Sequence, residues 1–147
     1  MELQIREARS ADALAIYKLN TEEMKYEFPF EQTRKQLETS IHRTTEKVFV
    51  ATVGGQVVGY VHAQEYELLY APPLKNILGL AVSREYKRMG IGKRLLQKVE
   101  EWALLTGATG VRLNSGAERK EAHLFYEKCG YEKGKQQVKF LKRLIKE

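Results

Sequence analysis

Apolar side chains take alternate positions in Leu3-Gln4-Ile5-Arg6 near the start of the chain, the spacing of a strand with one buried face, expected over residues 2–7. Ser10, followed by Ala11-Asp12-Ala13, reads as the N-cap of a first helix that carries Leu14, Tyr17, Met24 and Phe28 at loosely helical intervals to about residue 27. A second helix is expected from Pro29 or Phe30 to Thr44, with Leu37 and Ile41 turned inward. Residues 47–53 and 56–63 are rich in β-formers and are joined by Gly54-Gly55, which predicts a hairpin. Pro72-Pro73 interrupts any ladder in the loop at residues 66–75, and a buried strand follows at 76–82.

The clearest periodicity comes after Gly90-Ile91-Gly92. Ile91, Leu95, Leu96, Val99 and Ala103 line one helical face, while Lys93, Arg94, Gln97, Lys98, Glu100 and Glu101 cover the other. Trp102 reads as packing on the back of this helix. Gly107 and Gly110 flank its end, a strand is expected near residues 111–114, and a last helix at about 118–129 is stopped by Gly130. A final strand or hairpin arm is expected at about 136–144. Hairpin logic early and β-α-β crossovers late predict an α/β fold, one mixed sheet with helices on both faces.

At 147 residues and 43% hydrophobic content, the chain suits one domain over residues 1–147 with a substantial core. Its alternating N-terminus resembles neither a signal peptide nor a membrane span, so a cytoplasmic protein with no membrane partner is expected. Cys129 is the sole cysteine, and no Cys or His cluster has metal-site spacing, so no metal is expected. A formal charge of +6 favours anionic ligands without choosing among them. The basic residues are scattered from Arg34 to Lys146 without interleaved aromatics, which argues against a nucleic-acid partner.

The candidate chemistry lies in Lys87-Arg88-Met89-Gly90-Ile91-Gly92-Lys93. A helix begins with amide N–H groups that have no intrahelical partner and with the positive end of its dipole, so a glycine turn entering it is an anion site. Glycines at 90 and 92 let phosphate oxygens approach the backbone, and Lys87, Arg88, Lys93 and Arg94 add charge. A Walker loop would need Ser or Thr where Arg94 stands and Gly where Lys87 stands, and a dinucleotide fingerprint would need a third Gly at Leu95.

Residues 80–96, Leu-Ala-Val-Ser-Arg-Glu-Tyr-Lys-Arg-Met-Gly-Ile-Gly-Lys-Arg-Leu-Leu, resemble the acetyl-CoA motif of the GNAT superfamily of N-acetyltransferases, with Lys87 where Gln or Arg is usual. Residues 119–131 resemble the second signature of that superfamily, an Ala-His-x-Phe-Tyr helix ending in Gly and an aromatic. The resemblance implies a six- to seven-stranded mixed sheet with about four helices and a cleft for acetyl-CoA between two splayed parallel strands, here near residues 76–82 and 110–115. It implies pantetheine contacts at Leu80, Ala81 and Val82, a pyrophosphate cradle at Lys87, Arg88, Met89, Gly90, Ile91, Gly92 and Lys93, and further cofactor contacts at Asn114, Arg119 and Tyr126.

The expected activity is acetyl transfer to a primary amine of a small molecule by direct attack, with Tyr126 as the acid that protonates the departing thiolate. Many relatives carry a Glu immediately before the Leu-Ala-Val segment, whereas this chain has Gly79, so the base is open; Glu65, Glu67 and Glu27 are candidates. The acceptor pocket is expected between the two N-terminal helices and the loop at residues 66–73, whose aromatic and acidic groups suit a cationic or amphipathic amine. By analogy, a homodimer would form through the C-terminal strand. The alternative reading, motivated by Gly79, is an acetyl-CoA-binding regulatory domain without turnover.

Overall fold

A computed structural model describes residues 2–145; Met1, Lys146 and Glu147 lie outside the described residues. Two compact units make up the chain, a larger one reaching to Leu113 and a smaller one from Asn114 onwards.

The larger unit runs β1 (Leu3–Glu7), α1 (Ala13–Glu22), α2 (Phe30–Ile41), β2 (Glu46–Val53), β3 (Gln56–Tyr66), β4 (Leu74–Val82), α3 (Ile91–Leu105) and β5 (Val111–Leu113). Its sheet has the order β1-β2-β3-β4-β5. The first four strands pair antiparallel in sequence, and β5 joins β4 in parallel. The β2–β3 hairpin turns on Gly54 and Gly55, at φ 58° and 82°, the left-handed pair that a two-residue hairpin turn needs.

Strand alternation divides the core between the two faces of the sheet. Val48, Val50, Tyr60 and Ala81 meet Ile16 and Leu19 of α1 and Leu37 of α2. The other face receives α3, whose Leu95, Leu96 and Val99 are fully buried. Gly59 permits the close approach, because a Cβ there would lie 3.0 Å from the Ala81 carbonyl oxygen and 3.4 Å from both Ile91 Cγ2 and Leu95 Cδ1. Trp102 packs as expected and is buried, with the Lys75 ammonium 4.0 Å from its ring centroid.

Several elements depart from expectation. The first turn is capped by Asp12, which accepts a hydrogen bond from the Arg9 amide at 2.7 Å, and Ser10 instead donates to Glu38. The Arg6 guanidinium also pairs with the Asp12 carboxylate at 2.8 Å. The first helix ends at Glu22, and Lys25 beyond it takes φ 61°. α2 stops at Ile41, and β4 begins at Leu74, directly after Pro73.

The largest correction concerns the expected arm at residues 136–144. Residues 132–145 are all exposed and form no strand, so the sheet has five strands among the described residues rather than six to seven. The physical reason is the pattern. Phe140-Leu141 and Leu144-Ile145 put adjacent apolar residues on opposite faces, with Lys139 before them and Lys142 and Arg143 between them, so no single face can be buried. In the smaller unit α4 (Lys120–Lys128) ends at Gly130, φ 93°, with the Tyr131 amide bonded to the Tyr126 carbonyl at 2.9 Å. No helix of the described residues is long and apolar enough to cross a membrane.

Candidate active site

The β4–β5 ladder covers Lys75, Asn76 and Ile77 and then stops, whereas β4 stays paired with β3 as far as Val82. From Leu78 to Val82 no strand of the larger unit covers the β5 side of β4, so its outward backbone groups there have no ladder partner. The register also shifts at this point: His62 lies opposite Gly79 and Ala63 opposite Ile77, leaving Leu78 as an extra residue in β4. The bulge and the open edge bring Leu80, Ala81 and Val82 to the place where an extended ligand could add as a strand.

Beyond Val82 the chain turns through residues 84–86 into α3. Arg84 fastens this turn to the end of α1: its amide donates to Glu23 at 3.0 Å and its guanidinium to the Glu22 carbonyl at 3.0 Å. Arg88 and Gly90 then both adopt left-handed backbone, at φ 69° and 75°, which bends the chain sharply into Ile91. For Arg88 this conformation carries strain that glycine avoids. A Cβ built on Gly90 would meet nothing within 4 Å, so the space before the turn is open. Lys87, Arg88, Lys93 and Arg94 are exposed around it, and the opening amides of α3 have no intrahelical acceptor. Open space, free amides and four cations fit a pyrophosphate. Gly90→Val should raise the dissociation constant for acetyl-CoA about tenfold through left-handed strain at the turn, with Gly90→Asn milder; isothermal titration checks both.

On the α1/α2 face of the sheet lies a cavity of about 140 Å³. Ile16, Phe28, Leu37 and Val48 form its apolar wall, and Asn20, Thr33, Gln36, Ser40, Tyr60 and His62 its polar one. The Tyr60 hydroxyl donates to Asn20 Oδ1, and burial pushes its pKa up to about 12. Gly79 has no side chain to intrude: a Cβ there would stand 3.5 Å from the Tyr60 hydroxyl.

His62 Nε2 is 2.8 Å from Glu46 Oε1, and Arg43 Nη1 donates to Glu46 Oε2 at 2.7 Å. Burial by itself would raise the Glu46 pKa, but hydrogen bonds from Arg43, His62 and Ser40 outweigh it and hold the carboxyl at about 2. A carboxylate ionised more readily in the folded state than in the unfolded state stabilises the fold fully above the unfolded value near 4.5, and that stabilisation is lost as pH falls towards about 2. Wild type should therefore lose about 2 kcal/mol between pH 6 and pH 2.5 from this group. Glu46→Gln should be less stable at pH 6 and flatter across that range, as followed by urea unfolding.

The sequence-derived site residues fall in different places. Tyr126 is half-buried in α4, with Phe125 and Tyr131 in edge contact at 5.2 and 6.1 Å between ring centroids. Burial raises its pKa above the ordinary phenol value, against a smaller lowering by Arg119. Arg119 occupies the N-cap of α4, and Asn114 opens the smaller unit. Glu65 is 3.7 Å from the buried Lys75 ammonium, on the α3 face of the sheet and away from the cavity, while Glu67 is exposed just past β3. The loop at residues 66–73 holds exposed Leu69 and Tyr70 and contributes nothing to the cavity wall. No sequence motif singles out Glu46 or His62. Alternation along β3 does put Tyr60 and His62 on one face, the signal that could have found them.

The chain matches the model of the acetyltransferase (GNAT) family over residues 13–131, and it belongs to that family. It is therefore an acyltransferase, an N-acetyltransferase that draws on acetyl-CoA. It is 28% identical over 129 residues to an aminoalkylphosphonate N-acetyltransferase of Salmonella typhimurium, covering 87% of this chain and 84% of that one. It is 30% identical over 145 residues to an N-alpha-acetyltransferase of Sulfurisphaera tokodaii, covering 91% and 83%. An aminoglycoside 6'-N-acetyltransferase of Acinetobacter baumannii shares the fold with a TM-score of 0.85 at 19% identity, over 97% of this chain and 99% of that one.

Proposed function

We propose that this enzyme acetylates a primary amine on a small molecule by direct attack on acetyl-CoA, with the acceptor in the α1/α2 cavity and Tyr126 as general acid. The observation that carries the reading is the pair of features along β4: an open backbone edge at Leu78–Val82 that leads directly into the Arg88/Gly90 turn and the N-terminus of α3. The pantetheine arm lies along that edge, where a backbone N–H near Leu80, Ala81 or Val82 polarises the thioester carbonyl. The pyrophosphate rests on residues 87–93, and Asn114 and Arg119 contact the remainder of the cofactor.

The polar wall of the cavity holds no carboxylate, lysine or arginine, and the nearby Glu46 is already paired with Arg43. Such a site selects by hydrogen bonds and fit rather than by a counter-ion, so the acceptor's amine is recognised without a matching free carboxylate. That revises the basis for a cationic preference, which rested on the loop at residues 66–73. The aminoalkylphosphonate and aminoglycoside relatives mark the chemical range to screen, from anionic to polycationic amines.

The test has two stages. Thermal unfolding with acetyl-CoA, CoA and ATP comes first, since ligand at about a hundred times its dissociation constant stabilises the fold by about 2.7 kcal/mol. Acetyl-CoA and CoA should stabilise the protein and ATP should not. Release of CoA thiol is then followed with 2-aminoethylphosphonate, sisomicin and an amino-terminal peptide. Faster turnover of the peptide than of either small molecule would refute the small-molecule reading.

A further inference from the structure

We propose that His62 is the base that deprotonates the acceptor amine, taking the proton on Nδ1, and that Glu46 is the positioning residue that fixes its tautomer. The inference deepens the acetyltransferase reading and rests on it. Four observations converge on this histidine.

First, its place in the fold is right for the task. His62 lines the polar wall of the cavity formed by α1, α2 and the sheet, and it faces Gly79 across the β3–β4 register at the bulge. Gly79 has no side chain, and a Cβ there would stand 3.5 Å from the Tyr60 hydroxyl and 3.9 Å from Met24 Cε, so β4 itself adds no side chain to the cavity opposite His62. Second, the tautomer is set by chemistry. An ionised carboxylate only accepts hydrogen bonds, so the 2.8 Å contact to Glu46 requires the proton on Nε2 and leaves the lone pair on Nδ1.

Third, Glu46 is itself held. Its second oxygen accepts from Arg43 at 2.7 Å, and its side chain is 9% exposed, so the carboxylate cannot swing away from the ring. A buried carboxylate that orients an imidazole and stabilises its protonated form is the arrangement a histidine base requires. Fourth, the other groups around the cavity are unsuited. Asn20, Thr33, Gln36 and Ser40 do not titrate, Tyr60 donates its proton to Asn20, and Glu65 is turned to the other face with Lys75. Of the titratable or charged groups near the imidazole, Glu46 of β2 contacts it directly, Arg43 from the turn before β2 acts through Glu46, and Tyr60 lies two residues away on the same face of β3, with Tyr26 of the α1–α2 connection acting on Tyr60.

In the reaction, the acceptor arrives as an ammonium. One proton passes to His62 Nδ1 and then to solvent, which frees the nitrogen lone pair. The C–N bond forms as the thioester carbonyl opens, and the C–S bond breaks as it closes. The second proton, lost from the new amide nitrogen, balances the one taken up by the departing sulfur. The products are the N-acetyl amine and CoA thiol.

The test combines kinetics with a measurement on the unmodified protein. CoA release is followed from pH 5.5 to 9.5 with whichever of 2-aminoethylphosphonate and sisomicin the wild type acetylates faster. Wild-type kcat/KM should fall on the acid side as the imidazole takes up a proton. His62→Gln, which can still donate to Glu46, should lower kcat/KM about 100-fold at pH 7, and its rate should climb with pH as free amine accumulates. Glu46→Gln should move the acid limb to lower pH, an effect that a purely structural role would not produce. Stabilisation by acetyl-CoA should be unchanged in His62→Gln. Long-range ¹H–¹⁵N spectra of the wild type should show His62 protonated on Nε2 alone at pH 8. The inference is overturned by a wild-type-like pH profile in a His62→Gln protein that still binds acetyl-CoA, or by a proton on Nδ1 in the spectra. Wild type that binds acetyl-CoA but acetylates neither amine would instead overturn the small-molecule reading and this role with it.

Discussion

Tyr126→Phe should lower kcat about 100-fold while leaving the melting temperature and the KM for acetyl-CoA within about twofold of wild type. The thiolate leaving group of CoA has a pKa close to that of an ordinary thiol, about 8.5, so at neutral pH its departure is helped by a proton delivered in the transition state. Burial raises the Tyr126 pKa, with Arg119 opposing, so the phenol holds its proton throughout the neutral range and is a competent donor there. The substitution removes only a hydroxyl. The ring contacts with Phe125 and Tyr131 survive it, which separates loss of chemistry from loss of folding. Stopped-flow detection of thiol in single turnovers gives the chemical step directly. An unchanged single-turnover rate would remove Tyr126 from the mechanism.

Leu95→Ala should cost about 3 kcal/mol of stability and lower the melting temperature by about 10 °C. Leu95 is fully buried, and its Cδ1 lies in the space left by Gly59, so surrounding atoms cannot close the gap without moving a strand. The same leucine seats the first turns of α3 against the sheet, and those turns carry the proposed phosphate-binding end of the helix. Urea unfolding with and without acetyl-CoA separates the two consequences. The midpoint should fall in both conditions, and the gap between them should narrow as the helix end becomes less fixed. A loss under about 1 kcal/mol would mean that α3 repacks without strain.

The elements written most strongly into the sequence are those whose signals are local. Helix α3 follows from five apolar residues on one face, and the β2–β3 hairpin follows from two β-rich runs around Gly54-Gly55. The end of the first helix was not legible, because the left-handed turn at Lys25 is imposed by the chain's return rather than by a breaker residue. Residues 136–144 contain enough Val, Phe and Leu to read as a strand, but their doubled apolar positions deny it one face to bury. The turn into α3 could be read residue by residue, since its glycines and cations are contiguous.

The Glu46–His62 pair could not be read in this way. These residues lie 16 positions apart and meet only because the β2–β3 register sets Val48 opposite His62, so that Glu46 falls diagonally alongside the ring. A one-residue slip in that hairpin would turn one of them to the α3 face. Glu65 illustrates the same point in reverse. Its sequence position beside the acceptor loop made it attractive, but its pairing with Lys75 sends it to the opposite side of the sheet.

The early end of the β4–β5 ladder also bears on how the protein behaves in a crowded solution. A bare strand edge is a template on which a second chain can nucleate sheet growth, and natural proteins ordinarily protect such edges with charge, a bulge or a cover. Here the extra residue Leu78 disturbs the edge at its start, but Leu80, Ala81 and Val82 beyond it are all apolar. A cosubstrate seated along that stretch would take up the same hydrogen bonds a neighbouring chain would seek. On the proposed binding mode cofactor supply and colloidal stability are coupled, so light scattering at high protein concentration should fall when acetyl-CoA is added and rise again as it is consumed.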